Sequence, residues 1–257
     1  MGPVKVSYGP YRNTRAASQF ISAANSLGYP TYDDLQDPDA NNGVEYACKT
    51  ISTEGKRSDA AASYLHPLLR DGKHPNLHVL CQSKVVRVLF DTDKRAVGVE
   101  YIANPAYVAA VVPSQVAATS VRARQLVVVS CGALGSPLVL ERSGVGAKGI
   151  LEKAGVPVVA DVPGIGADYQ DHEMVATPYK TDFQTHESLD ALWAGRMAPE
   201  EAGKAGLMGW NACDVHAKIR PTEDEVVALG GDFQAVWNKE YRDDPNKPLI
   251  LIATLAA

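Results

Sequence analysis

The sequence of 257 residues contains no apolar run that approaches the roughly 20 residues needed to span a bilayer. Its first residues, Met-Gly-Pro-Val-Lys-Val, include no hydrophobic segment of the kind that directs secretion. The net charge is −5 at pH 7, so there is no basic excess to attract a nucleic-acid backbone. The sequence therefore predicts an intracellular protein with no membrane partner and no nucleic-acid partner.

Cysteine is scarce, and no two cysteines form a C-x-x-C pair. The four positions, which lie far apart, are Cys48, Cys81, Cys131 and Cys213. This spacing favours reduced intracellular thiols over a disulfide framework. With 46% hydrophobic and 21% charged residues, the composition is that of an ordinary globular protein. The length allows one large domain or two small ones.

No metal-binding motif is complete. Asp37, Asp39 and Asn41 have the spacing that begins a calcium loop. The glycine, Gly43, comes one place too late, and Cys48 occupies the twelfth place, where a bidentate glutamate is needed. Two His-Glu dipeptides lack the second histidine of a zinc helix, and neither a P-loop nor a G-x-S-x-G elbow is present. We therefore expect no metal site.

The most informative stretch begins with a strand-like run, Leu126–Ser130, that leads into the small-residue turn Cys131-Gly132-Ala133. A predicted helix follows over 134–142 and ends at Ser143-Gly144-Val145-Gly146. A strand that leads into a glycine turn and a helix is a common way to bring backbone close to a nucleotide. The G-x-G-x-x-G pattern at 144–149 follows a helix rather than a strand, so it does not predict a dinucleotide fingerprint.

Hydrophobic periodicity indicates a mixture of helices and strands. The predicted helices are 15–27, 58–65 (ending or bending at Pro67), 134–142, 147–154, 189–194 and 223–241. The predicted strands are 77–81, 84–90, 96–102 and 121–130, with a turn at 91–94 and an insertion of unassigned form at 104–119. The apolar face of the first helix is expected at Phe20, Ile21, Ala24 and Leu27. The final residues, PLILIATLAA, are strand-like without a closing turn, from which we expect a fragment or a truncated product.

Several segments resemble the glucose–methanol–choline (GMC) family of FAD-dependent alcohol oxidoreductases. Its second signature is matched by Gly132-Ala133, Ser136-Pro137, Val139-Leu140 and Ser143–Gly146. Further matches are Gly55–Ala60 with Tyr64-Leu65, and Pro163–Gly166 with Gln170–His172, where Asp168 replaces the asparagine that the family prefers. Lys218–Thr222 resembles the alcohol (methanol) oxidase branch in particular.

The resemblance implies a fold that combines α/β and α+β parts. Residues 1–171 would form part of an FAD-binding domain without its N-terminal glycine-rich unit, and residues 172–257 would begin a substrate-binding domain. The implied reaction is oxidation of a primary alcohol to an aldehyde, with FAD as cofactor and molecular oxygen or another electron acceptor. The full-length protein could form a homo-oligomer. Peroxisomal and cytoplasmic locations both stay open.

The resemblance also implies cofactor-binding residues. The family contacts the adenine through the backbone of the residue aligned with Val85, although a simple core valine is an alternative. Ser130, Cys131 and Gly132 would let the backbone approach the cofactor, with Cys131 a small buried residue rather than a nucleophile. Asp171 and His172 would orient a loop next to the cofactor. The family's catalytic histidine lies in a C-terminal part that nothing here resembles, so no catalytic residue is predicted.

Two other interpretations remain from the sequence. As a fragment of an FAD-dependent enzyme, the chain would be inactive alone. The alternative is a non-catalytic truncated paralogue or an interaction fragment. A nicotinamide-dependent dehydrogenase is the weaker alternative, because the strand-linked fingerprint and its acidic ribose partner are missing.

Overall fold

The structure, a computed structural model, describes residues 2–107 and 117–256. It divides into two compact units. Residues 1–77 and 179–257 together form the first, which we call the split unit, and residues 78–178 form the second, the central unit. Part of the predicted insertion at 104–119 lies outside the described residues.

The described residues form eight strands and eight α-helices. The strands are β1 (Gly43–Tyr46), β2 (Ser83–Phe90), β3 (Ala96–Ala103), β4 (Thr119–Arg122), β5 (Val145–Gly146), β6 (Ala160–Asp161), β7 (Val215–Ile219) and β8 (Ile250–Ala253). The α-helices are α1 (Thr14–Ser26), α2 (His66–Arg70), α3 (Gly132–Arg142), α4 (Lys148–Lys153), α5 (Asp190–Trp193), α6 (Pro199–Lys204), α7 (Glu223–Ala228) and α8 (Gly231–Glu240). A π-helical turn spans Ala61–Leu65, and 3₁₀ turns span Thr185–Glu187 and Leu207–Gly209.

The split unit is built on an antiparallel sheet in the order β1-β7-β8. Strands β1 and β7 pair with Glu45 opposite His216, although the two residues are 171 positions apart. The compact units are divided differently from the domains expected at 1–171 and 172–257, which stay a prediction. Residues 1–77 pack with the C-terminal segment 179–257 in one unit.

Helix α1 begins and ends within one residue of its predicted bounds. The side chain of Asn13 accepts a hydrogen bond from a first-turn N–H at 3.0 Å, which satisfies a donor that has no partner within the helix. Ala17 and Ile21 are buried in a cluster with residues of β1 and β7. The predicted apolar face is thus confirmed at Ile21. Leu27 was wrongly placed on it and is 77% exposed, because it follows the last helical residue.

A buried ion pair joins the two halves of the split unit. The ammonium of Lys49 lies 2.6 Å from a carboxylate oxygen of Asp214, and each side chain is about 95% buried, with 4% and 5% exposed. The Asp214 carboxylate also accepts hydrogen bonds from the Asn13 backbone N–H at 2.8 Å and from the Trp210 indole N–H at 3.0 Å. The attraction within a buried ion pair offsets the cost of desolvation only when the carboxylate also accepts other hydrogen bonds, as Asp214 does.

Two glycines allow a close backbone contact in the same unit. Gly55, with φ of +78°, lies against Gly209, and a Cβ added to either residue would lie 2.8 Å from the Cα of the other. Real Cβ atoms do not approach so closely, so neither position accepts a side chain without movement of the backbone. The turn at 52–57 is thereby held against the turn at 207–209.

The central unit contains an antiparallel sheet in the order β2-β3-β4. Strands β2 and β3 confirm the predicted strands 84–90 and 96–102 to within one residue, and Lys94 closes the predicted turn through a hydrogen bond to Asp91. A short parallel pair, β5 with β6, follows helix α3.

Two predicted strands are wrong as stated. Residues 77–81, expected to form a strand, lie outside every helix and strand, and the strand expected over 121–130 is reduced to Thr119–Arg122. Leu126 and Val128 are 74% and 73% exposed. An apolar run becomes a strand only when a neighbour takes its backbone hydrogen bonds, and no partner strand lies beside these residues within the described ranges.

Two helices differ from the prediction. The helix expected over 58–65 is a π-helical turn that continues directly into α2, so Pro67 neither ends it nor stands at a free helix start, although it lies in the first turn of α2. The single helix expected over 223–241 is two helices, because Gly230 adopts φ of +95° between them. In the described part of the chain, no helix has both the length and the apolar character needed to cross a membrane.

Replacing Asp214 with asparagine is expected to lower the free energy of unfolding by about 3 kcal/mol, because the Lys49 ammonium would be buried without a counter-charge. All three tryptophans lie in the split unit, so urea unfolding followed by tryptophan fluorescence measures its stability. The matched control is Asp190→Asn, which removes the exposed pair with Arg196 and should cost less than about 1 kcal/mol. Equal losses in the two variants would contradict the role of the buried pair.

Replacing Gly209 with alanine is expected to destabilise the split unit by about 1–3 kcal/mol, since the added methyl would overlap Gly55. Gly203→Ala is the control, because that glycine lies in α6 with no atom within 4 Å of a Cβ. It should raise stability by up to about 1 kcal/mol through helix propensity. A Gly209→Ala protein as stable as the Gly203→Ala protein would refute the close-contact explanation.

Candidate functional site

All six residues predicted to bind a cofactor lie in the central unit. Ser130, Cys131 and Gly132 are exposed where the chain enters helix α3. Gly132 has φ of +81°, and apart from its chain neighbours and the backbone of its own helix no atom lies within 4 Å of the position that a Cβ would occupy. Only glycine adopts this conformation at little cost, and the space above it is open. The turn therefore has the shape needed for a ligand to approach the backbone at a helix N-terminus.

Cys131 corrects one expectation. It was predicted to be a small buried residue, but it is exposed, as are its neighbours in the turn. Its backbone N–H donates to the Ser136 hydroxyl at 2.9 Å, so Ser136 of the Ser-Pro pair stabilises the turn from inside the helix.

Val85 lies on the open edge of the sheet, since β2 is an outer strand. Its partner Tyr101 pairs on its other side with Thr119 of β4. The hydrogen bond from Ala123 N–H to Val97 C=O shows that the odd-numbered residues of β3 bond toward β4. In an antiparallel ladder Val85 then directs its own N–H and C=O away from β3. No hydrogen-bond partner for these two groups lies within residues 2–107 and 117–256, and such groups are of the kind that can hold an adenine edge. The Val85 side chain is half-buried rather than fully buried.

Sequence analysis missed the role of Ser143. Its side chain is buried, accepts a hydrogen bond from the Val88 N–H at 2.8 Å and donates to the Val139 carbonyl. The C-terminal end of α3 is thus fixed to the open edge of β2. A serine that bonds four residues back in a helix is a recognisable local pattern, but its second partner depends on the tertiary fold.

The signature glycine Gly144 is needed for packing. It has φ of +85°, and a Cβ there would lie 2.3 Å from the Pro157 carbonyl oxygen. Its own carbonyl accepts from the Val159 N–H at 2.8 Å, next to the parallel pairing of β5 with β6. The G-x-G-x-x-G pattern at 144–149 is therefore a helix exit and a strand pair rather than a nucleotide loop, as its sequence context indicated.

Asp171 and His172 lie in an exposed loop. The Asp171 carboxylate accepts from the His172 backbone N–H at 2.8 Å and from the Tyr169 hydroxyl at 3.2 Å. These contacts are local and shape the loop itself. Across residues 2–107 and 117–256, no group of three or more His, Cys, Asp or Glu side chains is placed to hold a metal ion.

Comparison with known proteins gives a consistent result. The sequence profile described as GMC oxidoreductase matches residues 1–174. The alcohol oxidase of Pichia angusta is 35% identical over 97% of this chain, which spans 37% of that protein. An oxygen-dependent choline dehydrogenase of Pseudomonas putida is 37% identical over 66% of this chain and 28% of its own length. A formate oxidase of Aspergillus oryzae superposes with a TM-score of 0.71 at 18% identity, covering 97% of this chain and 41% of the other, which shows a shared fold.

The chain thus spans little more than a third of the curated alcohol oxidase that it matches. Within that span the family signature lies on helix α3 and its flanking turns. The family profile covers two thirds of the chain, and the match to the alcohol oxidase covers almost all of it. On these grounds the chain belongs to the GMC oxidoreductase family.

Proposed function

We propose that the chain is part of an FAD-dependent oxidase that converts a primary alcohol to an aldehyde with oxygen as electron acceptor. The observation that carries this proposal is the 35% identity to the Pichia angusta alcohol oxidase, which extends over 97% of the chain. An alignment of that extent includes the split unit as well as the signature helix, so the similarity is not limited to the cofactor-binding motif.

The central unit would make the contacts to FAD. The free N–H and C=O of Val85 are suited to the adenine edge, and the open turn at 130–132 lets a ligand approach the backbone. Asp171 and His172 would hold the adjacent loop in shape through their local hydrogen bonds. Bound FAD supplies hydride acceptance, while these residues supply position and electrostatics.

Residues 1–257 would bind FAD weakly by themselves. They contain no strand-linked G-x-G-x-x-G loop, the usual backbone cradle for a pyrophosphate at a helix N-terminus. They also contain no segment that resembles the family's catalytic histidine region. Weak cofactor binding without turnover is therefore proposed for these residues. Alcohol-dependent peroxide formation by purified residues 1–257 would contradict this.

The cofactor contacts are tested by NMR titration of residues 1–257 with FAD, a method that detects weak binding. Amide signals of Val85 and of residues 130–132 are expected to shift, and Gly132→Ala should weaken binding by about tenfold, the effect of about 1.4 kcal/mol. The matched control is Gly155→Ala, because Gly155 also has a positive φ, +69°, and open space around it. Both variants strain the backbone, but only Gly132 should alter FAD binding. Equal effects, or shifts confined to other residues, would refute the assignment.

A further inference from the structure

The split unit contains a cavity of about 520 Å³ that none of the predicted cofactor residues lines. Basic side chains on its wall are Lys49, Arg57 and His216, and apolar ones include Ile51 and Met208. No aspartate or glutamate lines it within the described residues. Its volume is in the range of small-molecule sites, which commonly combine apolar walls with a few placed polar groups.

Two acidic groups that contact lining residues, Asp214 and Glu45, are buried and already have partners. Asp214 accepts from Lys49, as described above, and from two N–H donors. Glu45, with 1% of its surface exposed, accepts from the Leu35 N–H and the Gln36 side-chain amide at 2.7 Å, and its carboxylate lies 3.4 Å from the His216 ring. The basic side chains Lys49 and His216 therefore each have an acid partner, and both acids are unavailable to the cavity.

Arg57 differs from the other two basic residues. No carboxylate lies within ion-pair distance of its guanidinium in residues 2–107 and 117–256, and the side chain is exposed. It follows the Gly55 turn, which the close contact with Gly209 holds in place. The cavity wall therefore carries an uncompensated positive charge on the side chain that is best suited to bind a planar carboxylate through two parallel hydrogen bonds.

We propose that this cavity binds a small carboxylate with an apolar tail, and that Arg57 anchors the carboxylate group. The apolar residues Ile51 and Met208 favour an organic acid over inorganic phosphate. The proposal concerns the split unit alone and does not depend on alcohol oxidation or on FAD, so its failure would leave the proposed function unaffected.

The four free cysteines provide a test in the intact chain. Cys48 and Cys213 line the cavity, whereas Cys81 and Cys131 are exposed residues of the central unit. Burial raises the pKa of the Cys213 thiol, which should react slowly, so the exposed Cys48 is the main reporter. The labelling rate of each thiol with a neutral maleimide is measured by peptide mass spectrometry, with benzoate, its neutral isostere benzamide or inorganic phosphate present.

Benzoate is expected to slow the labelling of Cys48 but not of Cys81 or Cys131. In the Arg57→Gln variant, about tenfold more benzoate should be needed to give Cys48 the same protection, because a charged hydrogen-bonding partner is lost. Arg70→Gln is the matched control, because Arg70 is an exposed arginine of the same unit that does not line the cavity. If Arg57→Gln fails to fold, Arg57→Lys keeps the charge without the planar fork and should give intermediate protection.

Three results would overturn the proposal. Equal protection by benzamide would show that the cavity recognises the ring alone. Protection that persists unchanged in the Arg57 variants would show that the arginine is not the anchor. Stronger protection by phosphate than by benzoate would show that the carboxylate class is wrong.

Discussion

The buried pair of Lys49 and Asp214 is the constraint on which the split unit depends. Lys49 lies just after β1 and Asp214 just before β7, so one ionic contact fixes how the two strands enter their sheet. Asp214 also binds the backbone of Asn13, the cap of α1. Buried ion pairs add little net stability compared with apolar packing, but an unpaired member is costly. Arrangements that separate the pair are therefore disfavoured, and this selects the pairing of two distant chain segments.

In the central unit the corresponding constraint is the buried hydroxyl of Ser143. It joins the end of the signature helix to the edge strand that carries Val85. The glycines of the signature then serve two different purposes. Gly132 leaves open space at the start of the helix, while Gly144 brings the backbone against Pro157 at its end. The open space at Gly132 leaves room for a ligand, whereas Gly144 is required for packing, although both are glycines of the same signature.

The parts of the fold that were predicted from the sequence are those whose signals are local. Helix α1 has its cap and its apolar positions within one stretch of chain, and β2 and β3 are joined by a short turn. Residues 77–81 and 126–130 have strand composition, but a strand also requires a partner, which composition cannot reveal. The pairing of β1 with β7 and the unpaired state of Arg57 depend on residues far apart in sequence. The Gly132 turn was predictable because a positive φ is a property of one residue.

Residues 126–130, which belong to no strand, lead directly into the Gly132 turn. The turn is fixed on one side by Ser136 and helix α3, but on the other side it is continuous with residues that pair with no strand of the described ranges. Ordering a backbone residue costs about 1–2 kcal/mol, so a ligand that requires residues 126–130 to be extended and fixed loses that amount for each residue it orders. A neighbouring strand that paired with this run would remove the cost before the ligand arrived. If the turn holds FAD as proposed, its affinity would depend as much on what supports residues 126–130 as on the turn itself.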